Sequence, residues 1–80
     1  MYPAVISVKP LENYKLELKF DDSMTKIFDV APFLEIGKFK ELKDVSMFSQ
    51  VFVSFDTIEW KNGLDLDPEL LYEKSVSVEN

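Results

Sequence analysis

Trp60-Lys-Asn-Gly-Leu-Asp-Leu-Asp-Pro-Glu-Leu-Leu-Tyr72 is the stretch that decides the fold, because it carries two strong structural signals. Asn62-Gly63 is a dipeptide that tolerates positive φ, so it predicts a tight turn. Asp67 and Pro68 predict a helix start, with Asp67 as the N-cap and Pro68 at the first helical position. A proline there loses no hydrogen bond, since the first N–H groups of a helix have no partner within it. The stretch therefore predicts a hairpin turn followed by a C-terminal helix.

The length and composition predict one folded domain. The chain has 80 residues, of which 46% are hydrophobic and 14% aromatic. That apolar content is too high for a disordered chain, and the length is close to the lower limit for a domain that folds alone. We expect a single domain over residues 1–80, with an ordered core at 3–75 and a flexible tail at 76–80.

The missing residue types exclude several kinds of chemistry. The chain has neither cysteine nor histidine. It therefore lacks a thiol nucleophile, a disulfide framework, the usual zinc ligands and the usual general base. We expect no cofactor and no catalytic residues, and so no enzyme.

The charge argues against nucleic acid and in favour of a basic partner. The net charge is −6, and all nine basic residues are lysines. Binding to a phosphate backbone needs a cationic surface, so direct nucleic-acid binding is disfavoured. No apolar run approaches the roughly 20 residues that span a bilayer. We expect a cytoplasmic protein that does not bind membranes and whose attraction is to basic proteins.

The first half of the chain predicts antiparallel strands. Tyr14 to Phe20 alternates apolar and polar side chains, which is typical of a strand with one dry and one wet face. Residues 4–9 predict a strand before it, with Ile6 facing inward and Val5 facing outward. Residues 24–30 predict the returning strand of a hairpin whose turn is Asp21-Asp22-Ser23.

The second half mixes short helices and strands. Residues 32–35 predict one helical turn that Gly37 ends, and Asp44 predicts the cap of another. Residues 51–55 and 58–60 predict a strand pair that reverses at Asp56-Thr57. The expected fold is α+β: a curved antiparallel sheet of about five strands, short helical turns in the middle, and a C-terminal helix.

Several segments together resemble a known family. They read Val-Lys-Pro-Leu, Tyr-Lys-Leu-Glu-Leu-Lys-Phe, Phe-Asp-Val-Ala-Pro-Phe-Leu and Ile-Glu-Trp-Lys-Asn-Gly-Leu-Asp-Leu-Asp-Pro-Glu-Leu-Leu-Tyr. In this order they resemble the bacterial family of domains of unknown function numbered 2442, over roughly residues 3–75. Two positions depart from the family: Ser23 stands where a glycine is frequent, and Lys61 stands where a proline is frequent.

The resemblance implies a fold and a genetic context, but no catalytic residues. Family members have an α+β fold with a curved antiparallel sheet, and they occur alone or joined to a helix-turn-helix domain. Stand-alone members are often encoded beside another small protein, in an arrangement that resembles a toxin–antitoxin pair. The implied roles are thus the antitoxin-like member of such a pair or, in the joined form, a sensor domain.

Carboxylates are the only candidate chemical groups. Asp65 and Asp67 lie on one strand face, and Asp29 could lie beside them; paired carboxylates can perform acid–base chemistry. The simpler interpretation is that Asp67 caps a helix and Asp65 faces solvent. Asp21 and Asp22 could bind a metal ion, but turn chemistry explains them at least as well.

Four apolar side chains are the candidates for a protein interface. Val5, Ile27 and Phe52 point away from the face that carries most apolar residues, so each is either covered by the C-terminal helix or exposed. Trp60 is either a core residue or an interface anchor. We therefore predict a protein-binding module whose partner is a second copy or a small basic protein. The alternatives are a domain that senses a small ligand between sheet and helix, and a carboxylate-dependent enzyme.

Overall fold

Two antiparallel sheets form the frame of the molecule. The computed structural model describes residues 2–78. The first sheet has the order β1-β2-β3-β7, with β1 at Val5–Leu11, β2 at Lys15–Phe20, β3 at Thr25–Asp29 and β7 at Val76–Ser77. The second has the order β4-β5-β6, with β4 at Phe52–Ser54, β5 at Thr57–Glu59 and β6 at Asp65–Leu66. The fold is α+β, but the expected single curved sheet is in fact two sheets.

Short helices lie between the strands. Three 3₁₀ segments span Glu12–Tyr14, Ala31–Phe33 and Gly37–Lys43, and two α-helices follow, α1 at Val45–Phe48 and α2 at Pro68–Lys74. Asp44 caps α1 by accepting a 2.9 Å hydrogen bond from the N–H of Ser46. The predicted helical turns in the middle of the chain are therefore present, mostly with 3₁₀ geometry.

Strand β2 confirms the alternation from Lys15 to Phe20, but Tyr14, which was predicted to begin the strand, lies in the preceding 3₁₀ segment with a left-handed φ of 61°. Leu16, Leu18 and Phe20 are at most 1% exposed, and the charged residues between them, Glu17 and Lys19, lie on the other face. A strand with a period of two can bury only one face, so this strand fixes which side of the sheet faces the core. Antiparallel pairing of β2 with β1 and β3 is also as expected.

A β-bulge changes the inward-facing residues of β1. Val5 pairs with Phe20 and Ser7 pairs with Lys19, so Ile6 is an extra residue between them. Beyond the bulge Val8 pairs with Leu18 and returns to the core face. The bulge reverses the prediction: Val5 is 1% exposed, whereas Ile6 is 60% exposed.

The stretch around Gly63 forms the predicted turn and helix start. Gly63 has φ +90° and donates a 3.0 Å hydrogen bond to the carbonyl of Trp60. The backbone N–H of Trp60 in turn donates a 2.8 Å hydrogen bond to the carbonyl of Leu64, and this bond closes the loop. Asp67 caps α2 by accepting a 2.9 Å bond from the N–H of Glu69. Both structural predictions are confirmed.

One hydrophobic cluster joins the two sheets and α2. It contains Leu18 and Phe28 from the first sheet, Ile58 and Leu66 from the second, and Leu71 from α2. Residues 76–78, expected to be a flexible tail, instead extend the first sheet. Ile27 pairs with Val76, and the N–H of Val78 donates a 2.9 Å hydrogen bond to the carbonyl of Thr25. Residues 79–80 of that expected tail lie outside the described residues.

Within residues 2–78, no helix has the length and apolar character needed to cross a membrane.

Candidate functional site

Two of the four predicted interface residues lie in the core. Trp60 is 0% exposed, and its indole Nε1–H donates a 3.0 Å hydrogen bond to the carbonyl of Phe48. Val5 is 1% exposed and lies opposite Phe20. Neither side chain can contact a partner on this fold, so both are corrected to core residues. For Trp60 this supports the core alternative over the interface alternative.

The other two predicted interface residues, Ile27 and Phe52, remain at the surface but lie in different sheets. Ile27 is half-buried on the outer face of the first sheet, beside Glu17 and Val76 in register. Phe52 is 42% exposed on the outer face of β4. Among the strands of the first sheet, β4 packs chiefly against β1, which is two strands away from the β3 strand that carries Ile27, so Ile27 and Phe52 do not form one surface.

Phe55 is a surface residue that the sequence prediction placed inside a strand. It lies in the turn between β4 and β5, is 100% exposed, and has a left-handed φ of 56°. A bulky side chain in this region of backbone space costs about 1–2 kcal/mol relative to its usual conformations. The signal that could have located it is the adjacent Asp56, because aspartate is frequent in tight turns.

A backbone hydrogen bond connects this turn to the bulge of β1. The N–H of Val5 donates 3.0 Å to the carbonyl of Asp56. Ile6 follows directly, so its exposed side chain comes from the strand that meets the β4–β5 turn. We call Ile6, Phe52, Phe55, Asp56 and Glu59 the junction patch, since they come from the segments where the two sheets meet.

The charges of the junction patch are negative. Glu59 lies opposite Phe52 in register, and Asp65 of β6 lies opposite Glu59. Strands β4, β5 and β6 and the turn at Phe55-Asp56 contain no lysine. Exposed aromatic side chains bordered by carboxylates are thus the surface chemistry at this junction.

The candidate catalytic carboxylates are spread over different elements. Asp29 lies at the end of β3, with its Oδ2 3.6 Å from Nζ of Lys15. Asp65 is exposed on β6 of the other sheet, and Asp67 caps α2. Over residues 2–78, no cluster of three potential metal-binding side chains occurs.

The acidic turn between β2 and β3 makes local and helix contacts. Asp21 accepts a 3.1 Å hydrogen bond from the N–H of Ala4, and Asp22 accepts a 3.0 Å hydrogen bond from the N–H of Met24. Asp22 also accepts a 2.7 Å bond from the hydroxyl of Tyr72 on α2. This bond lowers the pKa of Asp22 and raises the pKa of Tyr72. These contacts favour turn chemistry as the interpretation of both aspartates.

Lys26 completes this contact between α2 and the first sheet. It is only 8% exposed. Its Nζ donates to the carbonyl of Tyr72 and lies 3.9 Å from the centroid of the Tyr72 ring. A buried ammonium needs such partners, because its desolvation is costly.

A groove lies between the end of the β1–β2 hairpin and α1. It has a volume of about 650 Å³ and is lined by Pro10, Leu11, Glu12, Asn13, Tyr14, Val45, Phe48 and Ser49. Asn13 and Tyr14 both have left-handed φ, at 60° and 61°. A volume of about 300–1,000 Å³ is usual for small-molecule sites, so this groove is a second candidate site. We call it the hairpin groove.

A smaller cavity lies between β3 and α2. It has a volume of about 310 Å³ and is lined by Phe28, Asp29, Pro32, Phe33, Leu70 and Lys74. This is the position between sheet and helix that the sensor alternative predicted for a ligand. It is about half the volume of the hairpin groove.

The geometry defines a small α+β domain of two antiparallel sheets, with exposed apolar side chains and carboxylates on the segments where the sheets meet. A family model described as "Protein of unknown function (DUF2442)" matches residues 5–77, and the chain belongs to this family. Comparisons with curated proteins and with solved structures found no significant match. The family resemblance seen in the sequence is therefore confirmed.

Proposed function

We propose that this protein is a non-enzymatic protein-binding module, the acidic, antitoxin-like member of a two-protein system. Its partner is a small basic protein, and the junction patch is the contact surface. The observation that carries the proposal is Phe55, fully exposed in a strained backbone conformation. Strain of this kind persists at sites of function, where other parts of the structure compensate for its cost.

The apolar part of the junction patch has the chemistry of a contact surface. Phe52 and Phe55 are 42% and 100% exposed, and Ile6 is 60% exposed. Burying a phenylalanine side chain against a partner yields about 1.5–3 kcal/mol. Aromatic residues dominate the binding energy of protein interfaces when they enter a pocket of the partner. Phe55 is the side chain best placed to do so, because it projects from a turn.

The charges favour a basic partner over a second copy. The chain carries a net charge of −6, and the junction patch itself contains Asp56 and Glu59. Two copies meeting at this patch would bring like charges together, which disfavours association. A basic protein would gain from the same charges, both in its rate of encounter and in its orientation.

The test is binding to the product of the adjacent gene in the source organism. Calorimetry on the two purified proteins should give a stoichiometric complex, and Phe55→Ala should weaken it by about 2 kcal/mol, or roughly thirtyfold. Ile36→Ala is the matched control, because Ile36 is 56% exposed but lies outside the junction patch. It should leave the affinity unchanged.

A growth assay tests the antitoxin-like role separately. Expression of the adjacent gene's product should slow growth, and co-expression of this protein should restore it. Failure to bind the purified product, together with failure to restore growth, would contradict the proposal. Light scattering that gives a dimer in the absence of the product, and a monomer for Phe55→Ala, would instead assign the patch to a second copy.

A further inference from the structure

The hairpin groove has features of a binding site that the proposed protein contact does not use. Its walls come from Leu11 at the end of β1, from the 3₁₀ segment that ends at Tyr14, and from α1. The junction patch comes from the other end of β1 and from the β4–β5 hairpin. The groove is therefore a separate surface, with a volume of about 650 Å³.

The groove is held in a fixed shape by Tyr14. The Tyr14 hydroxyl donates a 2.5 Å hydrogen bond to the carbonyl of Lys43, just before α1. Its ring packs edge-on against Phe48, with 5.3 Å between the centroids. The N–H of Val30 also donates 2.9 Å to the carbonyl of Tyr14. These contacts connect the hairpin end to α1 and preform the groove, which lowers the entropy cost of binding.

The lining combines apolar walls with a single charge. Pro10, Leu11, Val45 and Phe48 supply the apolar surface, and Val45 is 63% exposed. Glu12 is the only charged residue among those that line the groove. Within residues 2–78, its carboxylate makes no ion pair or side-chain hydrogen bond, so it is available to a ligand.

Two of the lysines near the groove in sequence already lie beside other carboxylates. Lys15 lies 3.6 Å from the Asp29 carboxylate, and Lys43 lies 2.5 Å from the Glu35 carboxylate. Lys9 lies opposite Glu17 on the neighbouring strand. Glu12 therefore supplies the only formal charge among the residues that line the groove, and this charge is negative.

We infer that the hairpin groove binds a small organic cation, an aromatic or other apolar amine. The apolar walls take its hydrophobic part, and Glu12 accepts a hydrogen bond from its ammonium group. A charge-assisted bond of this kind is stronger than a bond between neutral groups. Asn13 and Ser49 also line the groove and offer further polar groups to the ligand.

Amide-resolved NMR titration with 2-phenylethylamine tests the inference on the whole protein. The amide signals of Leu11–Tyr14 and Val45–Ser49 should shift together, with a Kd of about 1 mM or tighter. 2-Phenylethanol has the same apolar part without the charge, and it should bind at least about tenfold more weakly. Equal affinity for the amine and the alcohol would overturn the assignment of a cation.

Two variants and a control test whether the Glu12 carboxylate and the groove lining bind the ligand. Glu12→Gln should weaken binding of the amine about tenfold and leave that of the alcohol unchanged. Ser49→Phe should reduce binding of both the amine and the alcohol, because the larger side chain fills part of the groove. Glu69→Gln removes a carboxylate on α2 and should change neither affinity. An unfolding curve for each variant shows that the fold is intact.

Shifts confined to other surfaces, or no shifts, would overturn the site itself. If the groove amides respond to the adjacent gene's product but not to the amine, the groove binds a basic protein side chain. That result would overturn the small-molecule inference, and the affinity of Phe55→Ala for the same product would then decide separately whether the junction patch is also a contact surface.

Discussion

The N–H of Val5 donates a 3.0 Å hydrogen bond to the carbonyl of Asp56, and this bond connects the two sheets. It joins a buried residue of β1 to the turn that carries Phe55. Because Asp56 is held through its backbone, the turn has a defined position relative to the core. The bond therefore explains how an exposed aromatic side chain can be presented by a hairpin of only six strand residues.

Phe55→Gly should make the protein more stable and its partner binding weaker. Glycine adopts positive φ without the steric cost of a side chain, so the turn should gain about 1 kcal/mol. The same change removes the aromatic ring of the junction patch. Urea unfolding measures the first effect, and calorimetry with the adjacent gene's product measures the second. A variant that is more stable and binds as tightly as the wild type would show that Phe55 has no contact role.

Trp60→Phe should destabilise the fold by about 2–3 kcal/mol. The change leaves a cavity in the core and leaves the Phe48 carbonyl without the indole donor. Lys61→Ala is the control next to it, since Lys61 is exposed in the same loop. Chemical unfolding should show a lower free energy of unfolding for Trp60→Phe, and a change in that free energy of less than about 0.5 kcal/mol for the control. Equal effects of the two variants would show that the indole contact does not matter.

Asp67→Ala should destabilise the fold by about 1 kcal/mol, because α2 loses its N-cap. Asp65→Ala removes the same charge two residues earlier, from an exposed position that caps no helix. The difference between the two variants in thermal unfolding isolates the capping bond from the change in net charge. A difference near zero would mean that the cap is not needed to start α2.

Tyr72→Phe should raise the pKa of Asp22 towards its ordinary value of 3.8. In the folded protein the Tyr72 hydroxyl stabilises the ionised carboxylate, and this lowers its pKa. The stability from this pair is therefore present above the ordinary pKa and is lost as pH falls through the lowered value. NMR titration of the Asp22 carboxyl measures the pKa in both proteins. An unchanged midpoint would show that the hydroxyl does not act on Asp22.

The sequence predicted those elements that depend on neighbouring residues alone. The strand predicted at Tyr14 to Phe20 follows from alternation, since one side of the sheet faces the core, and the structure has it at Lys15–Phe20. The caps at Asp44 and Asp67 and the turn at Gly63 follow from local backbone chemistry. These features need no knowledge of the rest of the fold, and all of them are present.

The bulge and the division into two sheets could not be predicted in this way. The residues around Ile6 alternate well enough for a regular strand, and only pairing with Phe20 and Lys19 shows the extra residue. That error placed Val5 outside and Ile6 inside. Phe55 was assigned to a strand because it is apolar, but its position depends on how tightly β4 reverses into β5.

The candidate sites were only partly visible in the sequence for the same reason. Phe52 was identified from strand alternation, but the junction patch also depends on the Val5–Asp56 hydrogen bond. The hairpin groove joins residues 10–14 to residues 45–49, and no local pattern connects these segments. Surfaces that combine distant segments become apparent only in three dimensions.

Calorimetric titration of the wild type, Phe55→Ala and Ile36→Ala with the product of the adjacent gene tests the central claim most directly. We predict a complex for the wild type, an affinity about thirtyfold weaker for Phe55→Ala, and no change for Ile36→Ala. No complex with the wild type, or equal affinities of all three proteins, would contradict the claim that the junction patch binds a protein partner.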